Sequence, residues 1–271
     1  IQLESPDRDE PLQPVEPTEV IRRIADLYTA VAAEAGKDII CEKPLTRTIG
    51  EGQRLKEVCR SNGTMLRINT WFRMTGRFYG MGCESSQVKK AVDSGMLGWP
   101  LTVTVGGGQG FNWKHIWKGK PTLEAQPVPD YIDYDSWLGP APWKPYTNDR
   151  TSRNFRGYWD YDGGGLGDMA MHYLDPVQHF LGKDNTSPIK IEVMTPDQHP
   201  DAVGPWKRVT LTYADGCKII LDGDNSLTKN AYLQGPKGKI DRGFQSDIPD
   251  FHKKLGSIPD PVKLNSDFHV N

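Results

Sequence analysis

Ala35-Gly36-Lys37-Asp38-Ile39-Ile40-Cys41-Glu42-Lys43-Pro44-Leu45 is the stretch on which the fold turns. Its apolar run Ile39-Ile40-Cys41 is too short for a helix and lies between Gly36 and Pro44, so residues 38–41 read as a buried strand. Upstream, Thr18 is a candidate N-cap. Val20, Ile24, Leu27, Val31 and Ala35 recur at helical spacing over residues 19–35, and Gly36 is the stop. Earlier still, Pro6, Pro11, Pro14 and Pro17 break any regular element, which predicts a loop or extended arm over residues 1–17. Downstream, residues 48–61 read as a second helix with Ile49, Leu55 and Val58 turned inward; Gly63 closes it, and residues 64–69 form another short strand. Helix, strand, helix and strand joined by tight glycine turns are the rhythm of a doubly wound parallel sheet, here its last part only.

After Trp71 the rhythm changes. A helix over residues 86–94, a stop at Gly95 and a strand over 101–105 lead into an aromatic and proline-rich excursion from Phe111 to Tyr161. That excursion is too long for an idle connector and is expected to be functional or interface-forming. A helix over 166–181, kinked at Pro176, precedes strands at 189–194, 206–213 and 217–222, the last two joined by an Asp215-Gly216 hairpin turn. The expected class is α/β: a partial doubly wound parallel sheet, then an α+β domain with an open, largely antiparallel sheet and helices on one face.

Composition removes several alternatives. A net charge of −2 over 271 residues gives no general attraction to nucleic acid or an anionic membrane, so neither is expected as a partner. No apolar run approaches the roughly 18 residues of a membrane span. The four cysteines are widely spaced with no CxxC, which leaves a zinc ribbon or redox dithiol unsupported. No secretory signal is visible, and localisation stays open between cytoplasm and bacterial periplasm. Gly106-Gly107-Gly108-Gln109-Gly110 and Gly163-Gly164-Gly165-Leu166-Gly167 match neither G-x-G-x-x-G nor the phosphate-loop pattern, and there is no G-x-S-x-G elbow.

Two constellations remain. In Glu42-Lys43-Pro44 the proline keeps Lys43 extended, at the carboxyl end of a strand, where open α/β sheets bind ligands. A lysine there can bond a substrate hydroxyl or stabilise a developing alkoxide. In Gly163–Asp175, a helix would put Asp168 and His172 on one face with Asp175 close by, and the glycines would let backbone approach a ligand. A histidine beside a carboxylate suits acid–base work; a His–Asp pair that merely staples the helix is the plain alternative. Asp168, His172 and Asp175, with His179 nearby, could instead ligate a divalent ion. HxxD is not a specific metal signature, however, and no metal site is assigned. Aromatic faces at Trp113, Tyr158 and Trp159 suit a sugar ring, and Arg73, Arg156 and Asp175 offer polar contacts, so these six are the candidate substrate contacts.

Together, Glu42-Lys43-Pro44 and Asp168 with His172, in this order and spacing, resemble the Gfo/Idh/MocA family of oxidoreductases. The phrase Ala35-Gly36-Lys37-Asp38, residues 51–73 and the glycine-rich hairpin over 233–243 extend the likeness. The resemblance implies a Rossmann domain, whose remnant would be residues 1–70, and a C-terminal substrate-binding and oligomerisation domain over 71–271. It implies NAD or NADP as cofactor, held in part by Glu42, Lys43 and Pro44, and oxidation or reduction of a secondary hydroxyl of a sugar, cyclitol or glycoside. By resemblance Lys43 binds substrate hydroxyl and nicotinamide ribose, His172 is the acid/base, and Asp168 orients substrate or histidine. The same likeness implies a homodimer or homotetramer built through the C-terminal sheet. The family's first strand and glycine turn should precede Glu42, yet the 41 residues before it hold one glycine, Gly36. An incomplete chain is therefore expected, with a non-catalytic carbohydrate-binding relative or an NAD-assisted glycosidase or epimerase as alternatives.

Overall fold

A computed structural model describes residues 31–46, 48–70, 73, 81–106, 118–139 and 141–260. The chain divides into two compact units. The first takes the chain up to Cys41, Leu45–Ile68 and Pro129–Lys144; the second takes Glu42–Pro44, Asn69–Val128 and the chain from Pro145.

In the first unit, β1 (Ile39–Glu42) and β2 (Leu66–Asn69) form a small parallel sheet, connected by α1 (Ile49–Asn62). The ends of α1 are encoded locally. Thr48 Oγ1 accepts from the Glu51 N–H at 3.2 Å while Glu51 Oε2 accepts from the Thr48 N–H at 3.1 Å, a reciprocal capping box. Gly63 ends the helix in the left-handed region at φ 64°. Leu55 and Cys59 pack with Ala33, Ile39, Leu45, Val58 and Leu66. Ile49 departs from the expected inward face: it is 83% exposed. Glu51, Leu55 and Cys59, spaced four apart, define the inner stripe, and Ile49 lies about 200° round the helix from Glu51. The strand over Ile39–Glu42 is also not buried on both faces. Ile39 joins the core while Ile40 is 47% exposed, because a strand sends alternate side chains to opposite faces. A short helix, α2 (Tyr134–Leu138), is capped by Asp133, whose Oδ1 accepts from the Ser136 N–H at 3.1 Å. Of the helix expected over 19–35, residues 31–34 are helical and residue 35 is already in the turn; residues 19–30, and the arm over 1–17, lie outside the described residues.

The second unit is built on a seven-stranded sheet. Its strands are β3 (Thr102–Gly106), β4 (Lys190–Met194), β5 (Arg208–Thr212), β6 (Lys218–Asp222), β7 (Leu233–Gln234), β8 (Lys239–Asp241) and β9 (Gln245–Ser246), in the order β4-β5-β6-β3-β7-β8-β9. Only the β3–β6 pairing is parallel; the others are antiparallel, as expected of an open, largely antiparallel sheet. Register puts Val103 opposite Ile219 and Val105 opposite Leu221, with Val209 and Leu211 next across. These residues share one face with Val88 and Ala91 of α3 (Ser85–Asp93) and with Tyr173, Val177 and Phe180 of a later helix. The opposite face carries Thr102, Thr210, Thr212 and Ile220, all partly exposed. The hairpin between β5 and β6 turns as expected, with Gly216 at φ 87° and its N–H donating to Tyr213 O at 3.0 Å.

The helix expected over 166–181 is two helices, α5 (Gly164–Gly167) and α6 (Ala170–Phe180), preceded by α4 (Asn148–Thr151) and a 3₁₀ turn at Arg153–Gly157. The interruption falls at Asp168-Met169, not at Pro176. Gly164 at φ 65° and the run of glycines weaken the helix before Asp168. Pro176 removes a single N–H, and the buried Tyr173, Val177 and Phe180 hold the turns around it.

Candidate active site

Lys43 follows directly on the end of β1, and its peptide bond to Pro44 is cis. Its side chain, only 10% exposed, reaches the break between α5 and α6. There Nζ donates to Asp168 Oδ1 at 2.5 Å and to the Asp168 carbonyl at 2.8 Å. Arg156, from the 3₁₀ turn, donates from Nε to Asp168 Oδ2 at 3.0 Å and lays its guanidinium over the Phe155 ring. Asp168 is thus a carboxylate clamped by two cations. An uninterrupted helix would have offered it to His172 at i+4; the break redirects it to Lys43 and Arg156. His172 stands on the first turn of α6, within the field of the same charges. Burial holds its imidazole below the ordinary value and the Lys43 ammonium pushes the same way, opposed by Asp168, Glu42 and Asp175.

Two further polar residues of this region were not among those expected from the sequence. Asn69, at the end of β2, donates from Nδ2 to Glu42 Oε1 at 2.5 Å. Its only sequence signal was its place at the end of the neighbouring strand. Asp162, just ahead of the glycine run, accepts the Gly163 N–H on Oδ1 at 2.6 Å. Its carboxyl is pushed up by burial and by Asp168, against the Gly163 hydrogen bond, Arg156 and Lys43.

The other expected contacts are distributed elsewhere. Arg73 forms a two-pronged pair with Asp175, Nε to Oδ2 at 3.1 Å and Nη2 to Oδ1 at 2.7 Å, and its Nη1 lies 2.8 Å from Asp184. This pair locks a side of α6, so Arg73 and Asp175 answer each other there. Tyr158 is 1% exposed beneath the Arg150 guanidinium and belongs to the interior. Trp159 is 38% exposed, with its indole N–H on His199 O at 3.0 Å. Trp113 lies outside the described residues, and Pro44 is exposed. Among the described residues no group of three or more His, Cys, Asp and Glu is placed to hold a metal ion. Asp168 and Asp175 face cations instead.

Chemically, the cluster joins a proton acceptor to a proton-rich donor. An imidazole kept neutral can accept a proton. The ammonium of Lys43 has three donors, two of them engaged by Asp168. Among the described residues the third meets no acceptor, so a hydroxyl oxygen of a ribose or a sugar fits it.

Residues 81–271 match the family model described as the oxidoreductase family's C-terminal alpha/beta domain, and residues 26–70 match its NAD-binding Rossmann fold. The chain belongs to the Gfo/Idh/MocA oxidoreductase family. It is 33% identical over 113 residues to the D-xylose 1-dehydrogenase [NADP(+)] of Haloarcula marismortui, covering 41% of this chain and 26% of that protein. It is 22% identical over 213 residues to the levoglucosan dehydrogenase of Pseudarthrobacter phenanthrenivorans, covering 78% and 44%. Among solved structures, the WlbA dehydrogenase of Bordetella pertussis in complex with NADH and UDP-GlcNAcA aligns at 19% identity and a TM-score of 0.47, over 80% of this chain and 56% of that one. The chain thus spans less than half the length of either curated relative.

Proposed function

We propose that the protein is an NAD(P)-dependent oxidoreductase acting on a secondary hydroxyl of a sugar, cyclitol or glycoside. The observation that carries this reading is the single cluster of Lys43, Asp168 and His172, with a lysine donor left over and an imidazole held neutral. In the oxidative direction His172 accepts the hydroxyl proton on a ring nitrogen. The open N–H of Lys43 donates to the same oxygen and stabilises the charge that develops on it. Asp168 fixes the Lys43 ammonium, and Arg156 fixes Asp168. NAD(P), when bound, supplies the hydride acceptor. Glu42, Lys43 and Pro44 would hold its nicotinamide-ribose end, with Asn69 steadying Glu42.

In this reading residues 1–70 are the cofactor part, and residues 71–271 bind substrate and assemble. The support for a homodimer or homotetramer through the C-terminal sheet is β4, whose five residues are all exposed, Ile191 and Val193 among them at 60% each. The dehydrogenase names of the two curated relatives support a sugar substrate. The test is reduction of NAD or NADP, followed by absorbance, across a panel of aldoses, cyclitols and anhydrosugars. Lys43→Ala and His172→Ala should each lower kcat by at least about 10²-fold. Wild-type turnover in both variants would overturn the assignment.

A further inference from the structure

Arg156 reaches Asp168 from a five-residue 3₁₀ turn, an element whose own hydrogen bonds hold it weakly. What fixes the turn lies on both sides of it. Ahead of it, the buried Arg150 on α4 makes a two-pronged pair with Asp201, Nη1 to Oδ1 at 3.3 Å and Nη2 to Oδ2 at 2.5 Å. The same guanidinium lies over the Tyr158 ring, 4.7 Å from its centroid. Behind the turn, the Trp159 N–H donates to the Asp201 carbonyl at 3.1 Å. One residue of the β4–β5 connection thus grips both ends of the segment that carries Arg156. The contact continues beside it: Tyr158 forms an antiparallel bridge with Ala202, and the Val203 N–H donates to Gly157 O at 2.8 Å. On the other flank the chain at Gly119 crosses Gly157. A Cβ on Gly157 would lie 2.4 Å from the Gly119 nitrogen, so the turn has no room to slide that way. The Gly119 N–H donates to Val203 O at 3.0 Å, which ties the crossing chain to the same connection.

We propose that Asp201 is a positioning residue for the candidate active site: by holding both ends of the Arg150–Trp159 segment it keeps Arg156 on Asp168, and so fixes the carboxylate that orients Lys43. For its effect on turnover the proposal rests on the reading of Lys43, Asp168 and His172 given above. Its effect on Arg156 stands on the hydrogen bonds alone. Asp201→Asn retains both the backbone bond to Trp159 and the side-chain shape, and removes only the charge. That leaves the buried Arg150 guanidinium without its counter-ion, a condition that loosens the elements around it.

The experiment uses the full chain and reads Arg156 directly. Exchange of the Arg156 Nε–H with solvent is followed by NMR in the wild type, Asp201→Asn and Arg150→Gln. Asp168→Asn marks the loss of the Arg156 bond to a charged partner, and Thr48→Ala is a control that lowers stability through α1. Exchange should quicken at least about fivefold in Asp201→Asn and Arg150→Gln and stay at the wild-type rate in Thr48→Ala. Asp201→Glu, which returns the charge, should recover part of the protection. In turnover with NAD(P), the two substitutions should lower kcat at least about threefold, yet cost nothing further in an Arg156→Gln background, since the residue they act through is gone. Exchange within about twofold of wild type in both variants overturns the proposal, as does a kcat loss of equal size in both backgrounds. Quickened exchange in the variants, with no hydride transfer by the wild type on any sugar of the panel, would uphold Asp201 and overturn the dehydrogenase reading. Should both variants fail to fold, Arg150→Lys, which keeps the charge but not the two-pronged pair, is the second variant and must quicken the same exchange.

Discussion

His172 sits among charges of both signs, and its protonation is directly testable. Burial lowers its pKa first and Lys43 second, so Lys43→Met should move its titration upward and Asp168→Asn further downward. Imidazole resonances followed by NMR across pH would show these opposite displacements; shifts of the same sign would contradict the arrangement. His179 is lowered as well, by burial and then by Arg73. A histidine whose folded pKa lies below its unfolded value contributes stability that is complete above about pH 6.5 and lost as pH falls. The melting temperature should therefore drop between pH 7 and 5, and His172→Asn combined with His179→Asn should flatten that drop. Lys43 and Asp168 were readable as candidates because each follows a local signal, a strand end before proline and a glycine run before a helix. The Arg73–Asp175 lock was not, since the two are 102 positions apart and nothing local links them.

Among the elements, the α5–α6 break controls where Asp168 points. Gly164 adopts φ 65°, which a side chain tolerates at a penalty of roughly 1–2 kcal/mol. Its carbonyl accepts the Asp168 N–H at 2.8 Å, so distortion at Gly164 passes straight to Asp168. Gly164→Ala should lower stability by about that amount in urea unfolding and reduce kcat more than a surface substitution of equal stability effect. The start of α1 provides the contrasting case. Thr48→Ala removes the capping oxygen and should lower stability by about 1 kcal/mol in the same measurement. It should leave the His172 titration unmoved. The Gly63 end of α1 was legible in the sequence; the outward position of Ile49 was not, because which side of a helix is buried depends on the elements that cover it.

At the scale of the molecule, β4 is the exposed edge of the large sheet. Ile189, Ile191 and Val193 are 60–70% exposed, continuing the apolar face that Val209 and Leu211 present next door. An uncovered apolar edge strand favours association. Light scattering should give the mass of two or four chains, and Ile191→Asp with Val193→Asp should reduce it to one. A mass unaffected by both substitutions would move the assembly surface elsewhere. The sheet itself was legible as alternating strands with turn signals, but its order was not, since β3 pairs with β6 across more than a hundred residues.

The Lys43–Asp168 bond spans 125 positions. By itself the sequence determined most of the elements around each partner, several of their turns, and the lysine, aspartate and histidine as candidates. Those features depend on periodicity and backbone preference over a few neighbouring residues. Only the tertiary structure decided that Asp168 faces Lys43 and Arg156, that Asp175 faces Arg73 and that Tyr158 is interior. Each of these depends on which distant surfaces the folded chain brings together, and on charges whose energies exist only once water has been displaced from between them.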